Sequence, residues 1–171
     1  MFCRRLLHLL LACIPALLLA NCSSAPKDYA YRFVPGKTAV LEGRYARAPK
    51  DAPEAVKRAI AAGNRLVGKP YIYGGGHRRV EDVGYDCSGT ASYVLYHAGL
   101  LRSPISSTEF RDYGSAGAGK WITLYPRRGH VFTVIAGLRL DTGYNGQGEG
   151  PQWSTRGRPA KGAVLRHPPG L

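Results

Sequence analysis

Apolar residues recur at helical spacing up to residue 98 and give way to β-branched runs after residue 120. This change of period constrains the fold more than any other feature. Ala55, Val56, Ala59, Ile60, Leu66 and Val67 share one helical face. Asp51 and Glu54 have the spacing of a capping box, Pro53 falls in the first turn, and Gly68 and Pro70 end the run. A second helix is predicted from Cys87 to Ala98. Ala91, Val94, Leu95 and Ala98 form its core face, and Gly99 closes it. Ser106 and Glu109 form another capping box, opening a short helix that ends near Tyr113. Strands are expected at Trp121 to Tyr125, His130 to Ala136, Leu138 to Asp141 and Ala163 to Arg166. Helices first and antiparallel strands after predict an α+β domain, with N-terminal helices packed on an antiparallel sheet.

A chain of 171 residues holds one such domain. Its start reads differently. Arg4 and Arg5 precede a nearly unbroken apolar run from Leu6 to Ala20, the pattern of a secretory leader. The run is shorter than the roughly 20 residues a membrane span needs. The alternative is an uncleaved N-terminal anchor. The expected organisation is a leader over residues 1–21, a tether over 22–50 and a folded domain over 51–171. Leu19-Ala20-Asn21-Cys22-Ser23-Ser24 resembles a bacterial lipobox, which implies cleavage before Cys22 and its acylation. Asn21 departs from the small residue usual at that place, and a freely secreted protein is the other reading.

Four cysteines are present. Cys3 and Cys13 lie in the leader and Cys22 in the lipobox, which leaves Cys87 as the one thiol of the domain. It sits in Tyr85-Asp86-Cys87-Ser88-Gly89 at a predicted helix start. There the helix dipole and free N–H groups lower a thiol's pKa, and the thiolate is the nucleophile. The same N–H groups can hold an oxyanion. Ser88 and Gly89 are small and leave room for a substrate. The bland alternative is a buried, inert cysteine.

A thiol nucleophile needs a base, and histidine suits neutral pH. Of five histidines, His8 is in the leader and His97 is too far along the Cys87 helix. His77 follows three glycines and can line a cleft. His130 opens a strong strand, where a base is held rigidly, and His167 lies in a proline-rich tail. A turn near Ala136-Gly137 would bring Asp141 beside His130 as its orienting partner. Asp141 read alone is an ordinary turn residue, and His167 remains the alternative third group.

Pro70-Tyr71-Ile72-Tyr73-Gly74-Gly75, then Asp86-Cys87-Ser88-Gly89, then Gly129-His130-Val131 at a strand start resemble the NlpC/P60 peptidases over roughly residues 52 to 142. The resemblance implies a papain-like α+β fold. It implies Cys87 and His130 as the catalytic pair, with Asp141 orienting the imidazole. It also implies that Tyr71, Asp86 and Ser88 bind substrate, and that the bond cleaved is a γ-D-glutamyl bond of a peptidoglycan stem peptide. Relatives more often carry His at the position of Asp141. They carry a Pro-Gly-Asp segment where Trp121 to Arg128 stand here, and the tail after Gly143 has no counterpart in the core family.

The formal charge is +13. Such a chain is drawn to polyanions. Export points to cell-wall polymers and anionic lipid rather than nucleic acid. No H-E-x-x-H, paired-cysteine or phosphate-loop pattern occurs, so neither metal nor cofactor is expected. Two other readings remain from the sequence. One is a thiol amidase or acyltransferase on the same fold, and the other is a non-catalytic wall-binding lipoprotein.

Overall fold

The computed structural model describes residues 25–143 and 149–171. The leader, the lipobox with Cys22 and part of the glycine-rich loop lie outside the described residues. The architecture is α+β. Two short strands, β1 (Val40–Glu42) and β2 (Tyr45–Arg47), form a hairpin. Helices α1 (Glu54–Leu66) and α2 (Cys87–His97) follow. Then come β3 (Ser115–Ala116), β4 (Ile122–Arg127), β5 (His130–Ile135), β6 (Leu138–Asp141), β7 (Gln152–Ser154) and β8 (Arg166–His167). These six make one antiparallel sheet in the order β3-β8-β4-β5-β6-β7. No helix of the described residues is long and apolar enough to cross a membrane.

Helix α1 buries Val56, Ala59, Ile60 and Leu66, the face its periodicity predicts. Its cap differs from expectation. Pro53 is the N-cap and no side chain caps it, so the Asp51–Glu54 box does not form. The amides of Val56 and Lys57 bond to the Pro53 carbonyl instead. The Ser106–Glu109 box does form. Ser106 N donates to Glu109 Oε2 at 2.7 Å and Glu109 N to Ser106 Oγ at 3.2 Å, ahead of a single 3-10 turn.

Helix α2 is buried on all sides from Cys87 to Leu95, not on the single face the pattern indicates. It is the central helix, and a helix apolar or small all round belongs in a core. It ends in a Schellman motif. Gly99, at φ 75°, donates to the Tyr96 carbonyl at 2.9 Å, and Leu100 donates to Leu95 at 2.8 Å.

The β5–β6 turn is Ala136-Gly137, with φ of 45° and 76°. Two positive φ values are the type I′ geometry that matches strand twist. Alanine pays about 1–2 kcal/mol for that conformation. Its backbone is held on both sides: Ala136 N donates to Trp121 O at 2.6 Å, and Ala136 O accepts from Ala39 N at 2.7 Å.

The expected tether over residues 22–50 is corrected from residue 25 onward. Ala39 and Ala46 are buried, and Tyr29 exchanges backbone hydrogen bonds with Arg158 at 2.8 and 3.0 Å. Asn64 of α1 is the clamp. Its side chain takes both the N–H and C=O of Ala46 at 2.9 Å, and its Oδ1 also accepts from Trp153 Nε1 at 2.9 Å. The tail is therefore part of the domain. It adds strand β7, which its glycine-rich approach hid from the pattern.

Candidate active site

Cys87 is the first residue of α2, and its side chain is at the surface of the core, 9% exposed. Asp86 is the N-cap. Its Oδ1 accepts from Gly89 N at 2.7 Å, and its carbonyl accepts from Thr90 N at 2.9 Å. The amides of Cys87 and Ser88 come before these bonded groups, at the positive end of the helix.

The glycines around Cys87 have a steric cause. A Cβ on Gly89 would lie 2.0 Å from the Gly75 carbonyl oxygen, and one on Gly75 would lie 2.3 Å from that of Gly84. The Gly74-Gly75-Gly76 loop thus packs backbone to backbone against the start of α2. The space beside Gly89 is filled by this loop, not kept open for substrate as expected. Tyr85 pins the rest of the loop, donating to Val80 O at 2.9 Å and accepting from Asp82 N at 2.8 Å.

His130 starts β5, just after the tight Arg128-Gly129 turn that pairs Arg127 with His130. Pairing of Thr133 with Leu140 then brings the end of β6 to the start of β5. His130 Nε2 lies 2.9 Å from Asp141 Oδ1, so a proton on Nε2 is donated to the carboxylate. Nδ1 is the nitrogen left for the thiol. Burial pushes the His130 pKa down. Hydrogen bonding and charge from Asp141 and Cys87 outweigh burial and hold it above its ordinary value.

Asp141 is 2% exposed and fully engaged. Oδ1 also accepts from Thr142 N at 2.8 Å, and Oδ2 accepts from Arg139 Nη1 at 2.6 Å. Arg158 completes the cluster, with Nε 3.2 Å from Asp141 Oδ2 and Nη2 3.1 Å from His130 Nε2. Neither arginine was singled out by the sequence. Arg139 alternates with Asp141 on β6, a signal that was readable, whereas nothing local marks Arg158. The alternative third group, His167, sits on β8, across β4 from His130, with Nδ1 3.1 Å from the Gly117 carbonyl.

A cleft of about 260 Å³ opens over Cys87, walled by Tyr71, Tyr73, His77, Asp86 and Ser88. Tyr71 is close enough to feel Cys87 and Asp86, and its pKa is raised by burial first and then by their charge. His77 Nε2 stands 3.1 Å from both Asp86 Oδ1 and Ser88 Oγ, and Gly74 N donates to Asp86 Oδ2 at 3.0 Å. Asp86 and Ser88 are thus already occupied by groups of the chain. Two larger hollows, of about 540 and 400 Å³, border the N-terminal segment and the tail. They hold no cysteine or histidine, so chemistry rather than volume marks the site. Among the described residues no group of three His, Cys, Asp or Glu is placed to hold a metal ion.

The arrangement brings together the Cys87 thiol at a helix N-terminus and an imidazole oriented by a buried carboxylate. No protein-family model, curated protein or solved structure matches the chain.

Proposed function

We propose that this chain is a papain-like cysteine hydrolase of the NlpC/P60 type that cleaves peptide bonds in peptidoglycan stem peptides. The observation that carries the reading is the meeting of Cys87, at a helix N-terminus, with an imidazole already oriented by Asp141. The Cys87 thiolate attacks the carbonyl carbon, and the developing oxyanion lies toward the amides at the head of α2. Protonated His130 gives its proton to the departing amine. A water then loses a proton to His130 and attacks the thioester, releasing the acid and restoring the thiol. The substrate class comes from the resemblance of the Tyr-x-Tyr-Gly-Gly, Asp-Cys-Ser-Gly and Gly-His-Val segments. The leader and an acylated Cys22 would keep the enzyme at the cell envelope.

The test is incubation of the protein with purified peptidoglycan, with Cys87→Ala in parallel, and mass spectrometry of released fragments. Stem-peptide fragments from the wild type alone support the reading and identify the bond. No fragments from either protein, with both retained on the wall, would replace it with a binding role.

A further inference from the structure

Asp141 carries one negative charge and faces two guanidiniums, although orienting His130 requires neither. Arg139 meets Oδ2 inside the protein, both side chains being 1% exposed. Arg158 comes from the tail, in the stretch after β7. Its backbone is fixed by the bonds to Tyr29, and its guanidinium lies 5.9 Å from the centre of the Phe132 ring. That placement puts it against the carboxylate and the imidazole together.

When Nε2 bears its proton, that proton points at Asp141 and Nε2 cannot also accept from Arg158. Two donors then face each other at 3.1 Å. An arginine does not give up its charge in a protein. A neutral ring that keeps its Nε2 proton meets the same donor, so what the imidazolium adds is a full charge beside the fixed guanidinium charge. That repulsion opposes protonation, and low exposure keeps it from being screened away. Among the described residues, the other titratable groups on the elements packed about His130 include the Cys87 thiol of α2, Arg127 opposite it on β4, and Glu149 near β7. Glu149 accepts from Gln152, the β7 partner of Asp141.

We propose that Arg158 is a positioning residue of this site: it fixes the Asp141 carboxylate and, together with Arg139, offsets its charge, so that His130 releases its proton more readily than it would beside an uncompensated carboxylate. The proposal rests on the reading of Cys87 and His130 as a reacting pair. It gives the tail a chemical role. An acidic third group behaves here more like a neutral acceptor, orienting the ring without trapping the proton needed in both halves of the reaction.

The experiment follows the His130 ring resonances of the full-length chain by NMR through a pH titration, with His130→Gln for assignment. Arg158→Gln should raise the midpoint by about one pH unit. Arg158→Lys keeps the charge and should titrate close to wild type. Arg158→Met keeps an apolar stem over Phe132 and should move as Gln does, serving where the Gln variant does not fold. The proposal is overturned if Gln and Met titrate with the wild type, or if Lys shifts as far as Gln. Methylthiolation of Cys87 in the wild type should lower the His130 midpoint. If it has no effect, the Cys87–His130 pair itself fails, whatever the arginine variants do.

Discussion

Gly89→Ala separates packing from helix propensity at the start of α2. On propensity alone alanine in place of glycine stabilises a helix by about 1 kcal/mol. Here the new Cβ would sit 2.0 Å from the Gly75 carbonyl oxygen and 3.3 Å from Asp86 Oδ1. Something must move by about an ångström, and neither backbone is free to do so. Gly75 donates to Ile72 O at 2.9 Å and accepts from Asp86 N at 3.3 Å, and it is itself pressed against Gly84. Overpacking of this kind costs about 1–3 kcal/mol. With both sides being backbone, the upper end applies. The net expectation is a loss of about 2 kcal/mol, a roughly 30-fold fall in the folded-to-unfolded ratio. Urea unfolding followed by circular dichroism measures it. The rate at which iodoacetamide alkylates Cys87 reports whether the helix start has shifted under the thiol. A variant equal to or more stable than wild type, with unchanged alkylation, would refute the close packing of loop and helix.

Asp141→Asn keeps the shape of the side chain but removes the charge facing buried Arg139. It should lower stability by about 3 kcal/mol, read from urea midpoints. The same variant removes a contact that raises the His130 pKa, so the imidazole should lose its proton at lower pH, visible by NMR. His130 itself titrates higher in the fold than its ordinary 6.5. Its protonated contacts therefore stabilise fully below that pH, and the contribution disappears as pH rises through the folded value. The stability gap between wild type and His130→Gln should be wide at pH 5.5 and narrow at pH 9. A gap independent of pH would show that the charged imidazole contributes nothing.

The helices, the β4–β6 meander and its Ala136-Gly137 turn were legible because each rests on local periodicity and turn chemistry. The proximity of His130 and Asp141 followed from that turn and from strand register. What stayed hidden was non-local. Nothing near residue 51 reveals that Pro53 displaces Asp51 as cap. Ala46 is held by Asn64 and Ala39 by the Ala136 carbonyl of the β5–β6 turn, and strand β7 pairs with β6 while its Trp153 reaches the same asparagine. Arg158 meets His130 only through a bridge to Tyr29, more than a hundred residues earlier. The small residues after Cys87 were legible as a requirement for space. Which neighbour fills that space, loop or substrate, is a property of the folded chain.

The clamp at Asn64 has a consequence for the order in which the domain is completed. Trp153 closes it and Arg158 lies five residues further on, so both arrive after the helices and the meander have been made. A growing chain that ends at Asp141 already holds Cys87, His130 and Asp141. It lacks the last strand beside β6, the ring that covers α1 and the second cation at the carboxylate. Reactivity and structural completion are thus joined in time: the thiol gains its finished surroundings only when the end of the domain folds back onto its beginning.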